Sequence, residues 1–351
     1  MNPNEYQQMI PLLLEWYEKN KRPLPWRNDP TPYHVWISEI MLQQTRIEAV
    51  IPYYERFLKE LPDIKSLSEA SDDKLMKLWE GLGYYSRVRN LKKAALAVME
   101  NHNGELPQTA KELRALAGIG DYSAGAIASI CFGEPEPAVD GNVLRVMMRY
   151  LGKDDDISLQ STKKALSENL RAVYPTGDDA KKLTSAIMEL GESVCIPNGE
   201  AKCDICPLKC TCVANQRNLK DVLPVKSAKK PRKQEEKTVF LLSFRGTYAI
   251  IKRPDKGLLA KLWEFPNVQG KLSDAQALSY LESLSLSPIG IRPTVDAVHI
   301  FTHIEWHMTG YTAECAEPSS SFVWKTADEI LSDYAIPSAF RAYVDYMKRL
   351  G

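Results

Sequence analysis

Five cysteines crowd into one short stretch that reads CIPNGEAKCDICPLKCTC. Cys195, Cys203, Cys206 and Cys212 leave gaps of seven, two and five residues, and Cys210 stands inside the last gap. Four thiolates at such spacing can surround one metal centre, either a structural zinc ion or a four-iron four-sulfur cluster. Because the chain has an odd number of cysteines and they are clustered, a metal site in a reducing compartment fits better than a disulfide framework.

A glycine turn followed by an aspartate is a second candidate constellation. Gly118 and Gly120 lie between two apolar helical runs, where glycine permits a tight turn and the next helix start offers free backbone N–H groups to a phosphate. The stretch PAVDGNVLRV then sets Asp140 and Asn142 directly before another helix. Each feature alone is typical of an ordinary helix connection or cap. Their ordered combination with the four cysteines is harder to explain by capping.

A third candidate is a carboxylate in the stretch SEIMLQQTRIEAVIPYYERF. Glu39 is followed by three apolar residues, and an acid of raised pKa in an apolar pocket can donate a proton to a leaving group. The commonest position of a helical glutamate is nevertheless the solvent-exposed face. The residue type alone does not separate these two interpretations.

The elements that would position these residues are mainly helices up to about residue 223. Apolar residues recur there at helical spacing, for example Tyr6, Met9, Leu13 and Tyr17. From residue 238 onward, TVFLLSF, TYAIIKR and AVHIFTHIEWHMTGYTAE have strand texture, whereas SDAQALSYLESL and PSAFRAYVDYMKRL read as helices. We therefore predict a helical domain followed by a smaller α+β domain.

The length and charge of the chain set the remaining bounds. Its 351 residues are enough for two cores, and we predict domains at 1–223 and 238–351, with the cysteine loop at 195–212. The basic stretch 224–237 lacks apolar periodicity and is predicted to be a linker. Lys plus Arg and Asp plus Glu are both 45, so any nucleic-acid binding must depend on local patches. With no signal-peptide pattern and no membrane-length apolar stretch, we expect a soluble cytoplasmic protein.

The first 215 residues resemble the helix-hairpin-helix superfamily of DNA glycosylases, and the cysteine loop resembles the cluster loop of its endonuclease III and MutY branch. The resemblance implies a four-iron four-sulfur cluster on Cys195, Cys203, Cys206 and Cys212, although the usual first gap is one residue shorter. It also implies that Gly118 and Gly120 grip a DNA phosphate. Asp140, assisted by Asn142, would stabilise the positive charge that develops on the deoxyribose when the glycosidic bond breaks.

The run Met-Leu-Gln-Gln-Thr resembles the MutY family of adenine glycosylases in particular. The resemblance implies that Glu39 protonates the adenine, and it assigns DNA or base contacts to Arg22, Trp26, Arg27, Gln44, Thr45 and Tyr84. Tyr84 would be the wedge that offsets the cost of flipping a base out of the stack. A tyrosine or tryptophan in isolation is as readily explained by core packing.

Two positions bear on mechanism because of what occupies them. Lyase relatives carry a lysine two residues after the second hairpin glycine, and Tyr122 stands there instead, so we expect base removal by water without an efficient strand-cleaving step. The family often has Gln or Glu ten residues before the first cluster cysteine, touching the flipped adenine. Here that residue is Ser185, and Glu189 is a candidate substitute.

The C-terminal region resembles the Nudix-like domain with which MutY proteins read 8-oxoguanine. Phe301, Thr302 and His303 match the family's Phe-Ser-His loop, and Thr retains the hydroxyl. The acidic Arg-Glu-x-x-Glu-Glu run of Nudix hydrolases is absent from the sequence. A strand end with exposed polar residues is the alternative explanation for this loop.

These resemblances predict an adenine DNA glycosylase that acts, as a monomer, on duplex DNA with adenine opposite 8-oxoguanine or guanine. Two alternatives stay open. One is an endonuclease III-like glycosylase and lyase for oxidised pyrimidines, which Tyr122 and the second domain disfavour. The other is a non-catalytic, metal-bearing protein that only binds lesions.

Overall fold

The computed structural model of the protein describes residues 3–197, 199–228 and 231–350. The chain divides into two compact units that are not contiguous in sequence. Unit 1 comprises Met1–Glu69 and Arg89–Ala228, and unit 2 comprises Ala70–Val88 and Lys229–Gly351. Among the described residues, no helix combines the length and the apolar character that crossing a membrane requires.

Unit 1 is helical, as the apolar periodicity predicts. Its helices, in chain order, are α1 (Pro3–Asn20), α2 (Pro25–Asn28), α3 (Pro32–Leu42), α4 (Ile47–Glu60) and α5 (Ile64–Glu69), then α7 (Ser86–Asn101), whose first residues belong to unit 2, and α8 (Ala110–Leu113), α9 (Asp121–Phe132), α10 (Gly141–Leu151), α11 (Gln160–Arg171), α12 (Asp178–Ser193) and α13 (Val213–Gln216). Helix α6 (Asp72–Leu78) lies in unit 2. A single 3-10 turn, Cys203–Ile205, lies in the cysteine loop.

One apolar cluster joins α1, α10, α11 and α12. The predicted face of α1 is confirmed, because Met9 and Leu13 are fully buried there and Tyr6 and Tyr17 nearly so. Cys195, Cys206 and Cys212 pack against the edge of this cluster. The cysteine loop is therefore anchored to the same core that carries α10 and α12.

Unit 2 is α+β, as predicted, and is built on a mixed sheet. Its strands are β1 (Lys233–Phe244), β2 (Thr247–Lys252), β3 (Trp263–Glu264), β4 (Asn267–Gln269), β5 (Pro288–Pro293), β6 (Ala297–Ile300), β7 (Ile304–Cys315) and β8 (Val323–Thr326). The main order is β3-β2-β1-β7-β5, with β4 beside β1, β6 beside β7 and β8 beside β2. Strands β1 and β7 run parallel, with Lys233 opposite Ile304 and Ser243 opposite Glu314.

Helices cover both faces of this sheet. Side chains alternate between faces along β1, so that Val239 and Leu241 meet α15 (Ala327–Asp333) and α16 (Arg341–Leu350), whereas Phe240 and Leu242 meet α14 (Asp274–Ser283). The last helix is confirmed, and Tyr343, Val344 and Met347 of α16 are buried against the sheet together with Phe340, which directly precedes the helix.

The structure differs from the sequence-based organisation in two places. Strand β1 begins at Lys233, so the last five residues of the predicted linker 224–237 are strand, and residues 229 and 230 lie outside the described residues. The first residues of β1 are polar and largely exposed, so the sequence shows no strand pattern there. This part of the strand is held by its backbone pairing with β7. Residues 70–88, predicted within the first domain, group with unit 2.

Candidate active site

A cavity of about 710 Å³ opens in unit 1 between α2, α3 and the starts of α9 and α10, with α12 along one side. Nine of the residues predicted to act in catalysis or to contact DNA line it: Arg22, Trp26, Arg27, Glu39, Gln44, Thr45, Tyr122, Asp140 and Asn142. They come from positions as far as 120 residues apart, and the fold brings them around one cavity. Gly118, Gly120, Tyr84, the 301–303 turn and the cysteines lie elsewhere.

Glu39 is a buried carboxyl on α3, only 5% exposed. The Tyr122 hydroxyl donates a hydrogen bond to its Oε2 at 2.8 Å. Burial raises the pKa of Glu39 to about 7, and the Tyr122 hydrogen bond opposes that rise because it favours the charged form. A carboxyl with such a pKa is protonated in a large fraction of molecules near neutral pH and can therefore donate a proton. The exposed-helix interpretation of Glu39 is wrong.

Asp140 is the N-cap of α10 and also faces the cavity. Its Oδ1 accepts the Val143 backbone N–H at 2.8 Å, and its Oδ2 accepts Asn142 Nδ2 at 3.2 Å. Burial raises the pKa of this carboxyl, while the hydrogen bonds and the Arg145 charge oppose the rise. Capping and cavity lining are thus compatible: the cap fixes the direction in which the carboxylate points.

Two arginines share a buried glutamate at the edge of the cavity. The Glu189 side chain is 1% exposed, and Arg27 Nη2 donates to its Oε2 at 2.7 Å. Arg22 donates through Nε to Oε1 and through Nη2 to Oε2 at 3.3 Å. Both carboxylate oxygens of Glu189 are therefore occupied by guanidinium groups. Ser185 lines the cavity one helical turn earlier.

Trp26 is both packed and at the wall. It is 7% exposed, and its ring meets the Tyr54 ring edge-on with centroids 5.4 Å apart. Thr45 is partly buried and Gln44 is exposed, with a positive φ of 58° in the turn after α3. The preceding residue, Gln43, donates from Nε2 to Ser123 Oγ at 3.0 Å, which ties this turn to α9.

The glycine turn precedes α9 as predicted. Gly118 has φ +79°, and a Cβ built on it would lie 2.6 Å from the Asn90 Cβ. Gly120 is the N-cap of α9, with φ −91° and no neighbouring atom within 4 Å of a built Cβ. The first glycine is therefore required by backbone conformation and space, whereas the second leaves its surroundings open to a ligand.

Tyr84 lies in unit 2, in a turn with a positive φ of 47°, and is 44% exposed. Its hydroxyl is 3.0 Å from Thr302 Oγ1. The buried Arg87 supports the turn, since its Nη2 donates to Leu82 O and Gly83 O, each at 3.0 Å, and its guanidinium lies 5.6 Å from the Tyr84 ring centroid. The structure therefore brings together, within unit 2, two residues that the sequence separates by 218 positions.

The loop between β6 and β7 presents Thr302 and His303 to solvent. Phe301 is half-buried, and its ring packs edge-on against His299 and Trp306, with centroid distances of 4.6 and 4.8 Å. The Phe301 N–H donates to Ile304 O at 2.8 Å, which closes the turn.

Four cysteines line a small common cavity: Cys195, Cys203, Cys206 and Cys212. Cys210 is exposed and is not part of that lining. Arg149 Nη1 donates to Cys195 Sγ at 3.4 Å. Within the part of the chain that the structure describes, no three His, Cys, Asp or Glu side chains stand close enough to hold one metal ion. The four thiols border one shared space.

Both regions match known protein families. Residues 37–172 match the HhH-GPD superfamily of base excision DNA repair proteins, and residues 238–346 match the NUDIX domain. Among solved structures, a thermostable thymine-DNA glycosylase has a TM-score of 0.55 at 25% identity, covering 61% of this chain and 98% of that one. A non-covalent endonuclease III–DNA complex has a TM-score of 0.53 at 20% identity, covering 62% of this chain and 99% of that one, and it shares the fold.

Curated relatives extend the similarity over both units. Adenine DNA glycosylase of Mus musculus is 33% identical, covering 95% of this chain and 77% of the relative. The protein of the same name from Buchnera aphidicola subsp. Acyrthosiphon pisum is 33% identical, covering 85% of this chain and 84% of the relative. The chain belongs to the adenine DNA glycosylases, a family of DNA N-glycosylases of base excision repair.

Proposed function

We propose that this glycosylase removes adenine opposite 8-oxoguanine or guanine in duplex DNA, acting as a monomer that hydrolyses the glycosidic bond. The observation that carries the chemistry is a pair of unequal carboxyls on one cavity. Glu39 is buried and has a pKa near 7, whereas Asp140 is held by a backbone N–H and an amide. An acid beside a fixed carboxylate is the arrangement that glycosidic cleavage needs.

The reaction follows from this division of roles. Adenine leaves poorly as an anion, so Glu39 gives a proton to the ring as the bond breaks. Positive charge then develops on the sugar, and the Asp140 carboxylate, oriented by Val143 N–H and Asn142, stabilises it. Tyr122 occupies the position at which lyase relatives have lysine, and it hydrogen-bonds Glu39. Without an amine there, water completes the reaction and leaves an abasic site.

The base pocket would be formed by Arg22, Trp26 and Arg27. Because both oxygens of Glu189 accept hydrogen bonds from the two arginines, we assign this glutamate the role of orienting them. Ser185 lines the cavity and would reach the base through its short hydroxyl or through water. Gln44 and Thr45 would contact the DNA beside the flipped nucleotide, and the Gly118–Gly120 turn would bind a phosphate.

Unit 2 supplies the residues that would read the base opposite the adenine. Thr302 and His303 are exposed donors and acceptors on the β6–β7 turn. Phe301 supports this turn by packing its ring against Trp306. Tyr84 is exposed and held at Thr302, so the wedge and the probe would act on the same base.

The cysteine loop fits a four-iron four-sulfur cluster held by Cys195, Cys203, Cys206 and Cys212. The four thiols line one cavity, the exposed Cys210 is not among them, and four cysteine thiolates are the ligand set that such a cluster takes. When bound, such a cluster would cross-link the loop and thereby stabilise it. We expect Cys212→Ser to lower the iron content and the thiolate-to-iron visible absorption, whereas Cys210→Ser keeps both; equal loss in the two variants would contradict the ligand set.

The test of the proposal is single-turnover excision on duplexes with adenine opposite 8-oxoguanine or guanine. Wild type should release adenine, and Asp140→Asn and Glu39→Gln should each slow release by on the order of 100-fold or more. Both variants should still bind a duplex that carries an abasic analogue. Binding by wild type without any release would instead favour a lesion-binding protein.

Opposite-base reading and the lyase step need separate measurements. Phe301→Ala combined with His303→Ala should reduce the preference for 8-oxoguanine over guanine more than it slows excision, and equal losses on both duplexes would argue against the reading role.

Borohydride should trap little covalent complex, since residue 122 offers no amine. Efficient trapping by wild type would overturn the hydrolytic assignment.

A further inference from the structure

Glu192 lies on the last turn of α12 and lines the active-site cavity, yet the reaction described above does not use it. Its Oε1 accepts a hydrogen bond from Asn142 Nδ2 at 2.7 Å. The same nitrogen donates to Asp140 Oδ2 at 3.2 Å. Because a side-chain amide has two N–H groups, one for each carboxylate, Asn142 bridges Asp140 and Glu192.

The other end of this amide is fixed as well. Arg145 Nη2 donates to Asn142 Oδ1 at 2.8 Å and to Gly191 O at 2.8 Å. A guanidinium can only donate, so the amide oxygen must face Arg145 and the NH₂ group must face the carboxylates. The orientation of Asn142 is thus determined by the chemistry of its neighbours.

The contact between Glu192 and Asn142 depends on the close approach of α12 to α10. A Cβ on Gly191 would lie 2.8 Å from the Asn142 Cβ, so only glycine lets α12 come this near to the start of α10. The next residue on α12 is Glu192, which is exposed at the cavity wall and reaches Asn142 at hydrogen-bond distance.

We propose that Glu192 is a positioning residue for excision: its carboxylate holds the Asn142 amide so that the second N–H of this amide stays on Asp140. The inference rests on the proposed function, in which Asp140 stabilises the positively charged sugar. Without Glu192 the NH₂ group loses its shorter hydrogen bond, and the amide can turn away from Asp140. Asp140 would then lose the side-chain donor that orients its Oδ2.

Glu192 acts through hydrogen bonding and not through its charge. Its negative charge opposes ionisation of Asp140, as burial does, whereas Arg145 favours the ionised form. An exposed carboxylate at the cavity also repels DNA phosphates. A neutral acceptor at residue 192 should therefore preserve the chemistry, and loss of the carboxylate should not weaken DNA binding.

The test compares Glu192→Ala, Glu192→Gln and Asn142→Ala with the double variant Glu192→Ala/Asn142→Ala, in the full-length protein. At saturating enzyme, Glu192→Ala should slow single-turnover excision about 10-fold, while Glu192→Gln stays within about 2-fold of wild type. The Kd for a duplex with a non-cleavable adenine analogue should be unchanged or lower in both. The double variant should be no slower than Asn142→Ala, because the two residues act as one unit.

Glu168→Ala is the matched control, since it removes a surface carboxylate of α11 that pairs with Lys164. Wild-type excision by Glu192→Ala, with Asp140→Asn and Asn142→Ala both slow, would overturn this inference and leave the proposed function standing. Additive losses in the double variant would also overturn it, because Glu192 would then not act through Asn142. Wild-type rates in Asp140→Asn and Glu39→Gln would instead overturn the proposed function itself.

Discussion

At the scale of single residues, the site depends on how differently the fold treats groups of the same chemical type. Glu39 and Glu189 are both buried glutamates that face the same cavity. Glu39 meets a neutral hydroxyl, so burial raises its pKa to about 7, whereas Glu189 meets two guanidinium groups that match a charged carboxylate. Glu39 can therefore act as an acid, whereas Glu189 holds the two arginines in place.

The raised pKa of Glu39 predicts a pH dependence of excision. The acid must be protonated, so the single-turnover rate should fall as pH rises through about 7. Tyr122→Phe removes a hydrogen bond that favours the charged form of Glu39, so the pKa of Glu39 rises and the falling limb moves to higher pH. Rate–pH profiles of both proteins check this. A limb that moves to lower pH, or stays in place, would contradict the role of the hydrogen bond.

At the scale of elements, helix ends and close helix approaches position the chemistry. Asp140 caps α10, and the turn before α9 depends on Gly118, which Asn90 on α7 touches closely. These positions come from different parts of unit 1, yet each is specified by a short local motif. This is why the motifs could be found in the sequence before the fold was known.

The two hairpin glycines make a matched pair for testing this. Gly118→Ala places a Cβ against Asn90 in a left-handed backbone conformation and should cost roughly 2 kcal/mol of stability. Gly120→Ala has a negative φ and open space, so its Tm should stay close to that of wild type. Thermal unfolding of the two variants compares them directly. Equal Tm values would show that the close approach to Asn90 relaxes at little cost.

Sequence patterns predict local features well and distant pairings poorly. Helical periodicity located the helices, the Val-Asp-Gly-Asn motif located Asp140 and Asn142, and the resemblance to the MutY family supplied the other seven of the nine cavity residues. The contact of Glu192 with Asn142 spans 50 positions and that of Arg22 with Glu189 spans 167, and no local pattern encodes either pairing. The polar start of β1 was missed for the same reason, since its partner strand lies about 70 residues away.

At the scale of the whole molecule, the two compact units do not follow the order of the chain. The segment 70–88 belongs to unit 2 and is bonded there at several points. Lys252 Nζ lies 2.7 Å from Asp73 Oδ1, and the Ile336 N–H donates to Glu80 Oε1 at 2.8 Å. Helix α6 also packs near α15. Tyr84 is therefore held by the body that carries the β6–β7 turn.

Glu80 offers a test of this arrangement. Glu80→Ala leaves the N–H of the buried Ile336 without its acceptor, which should cost about 1–3 kcal/mol. We expect a lower Tm and a smaller preference for 8-oxoguanine over guanine, with excision from the guanine duplex less affected. Glu69→Ala, a surface carboxylate near Lys65, is the control. Unchanged base preference in a destabilised Glu80→Ala would separate the anchoring from lesion reading.

Because residues 70–88 group with unit 2, inherited or selected variants of such a chain should be classified by structural unit and not by position in the sequence. Position along the gene is a poor guide to phenotype, because Asp73, Glu80 and Tyr84 are encoded between segments of the excising unit but belong to the other body. On the proposed function, variants in this stretch should resemble those of the C-terminal third: adenine excision should persist, while the preference for 8-oxoguanine over guanine as the opposite base should fall.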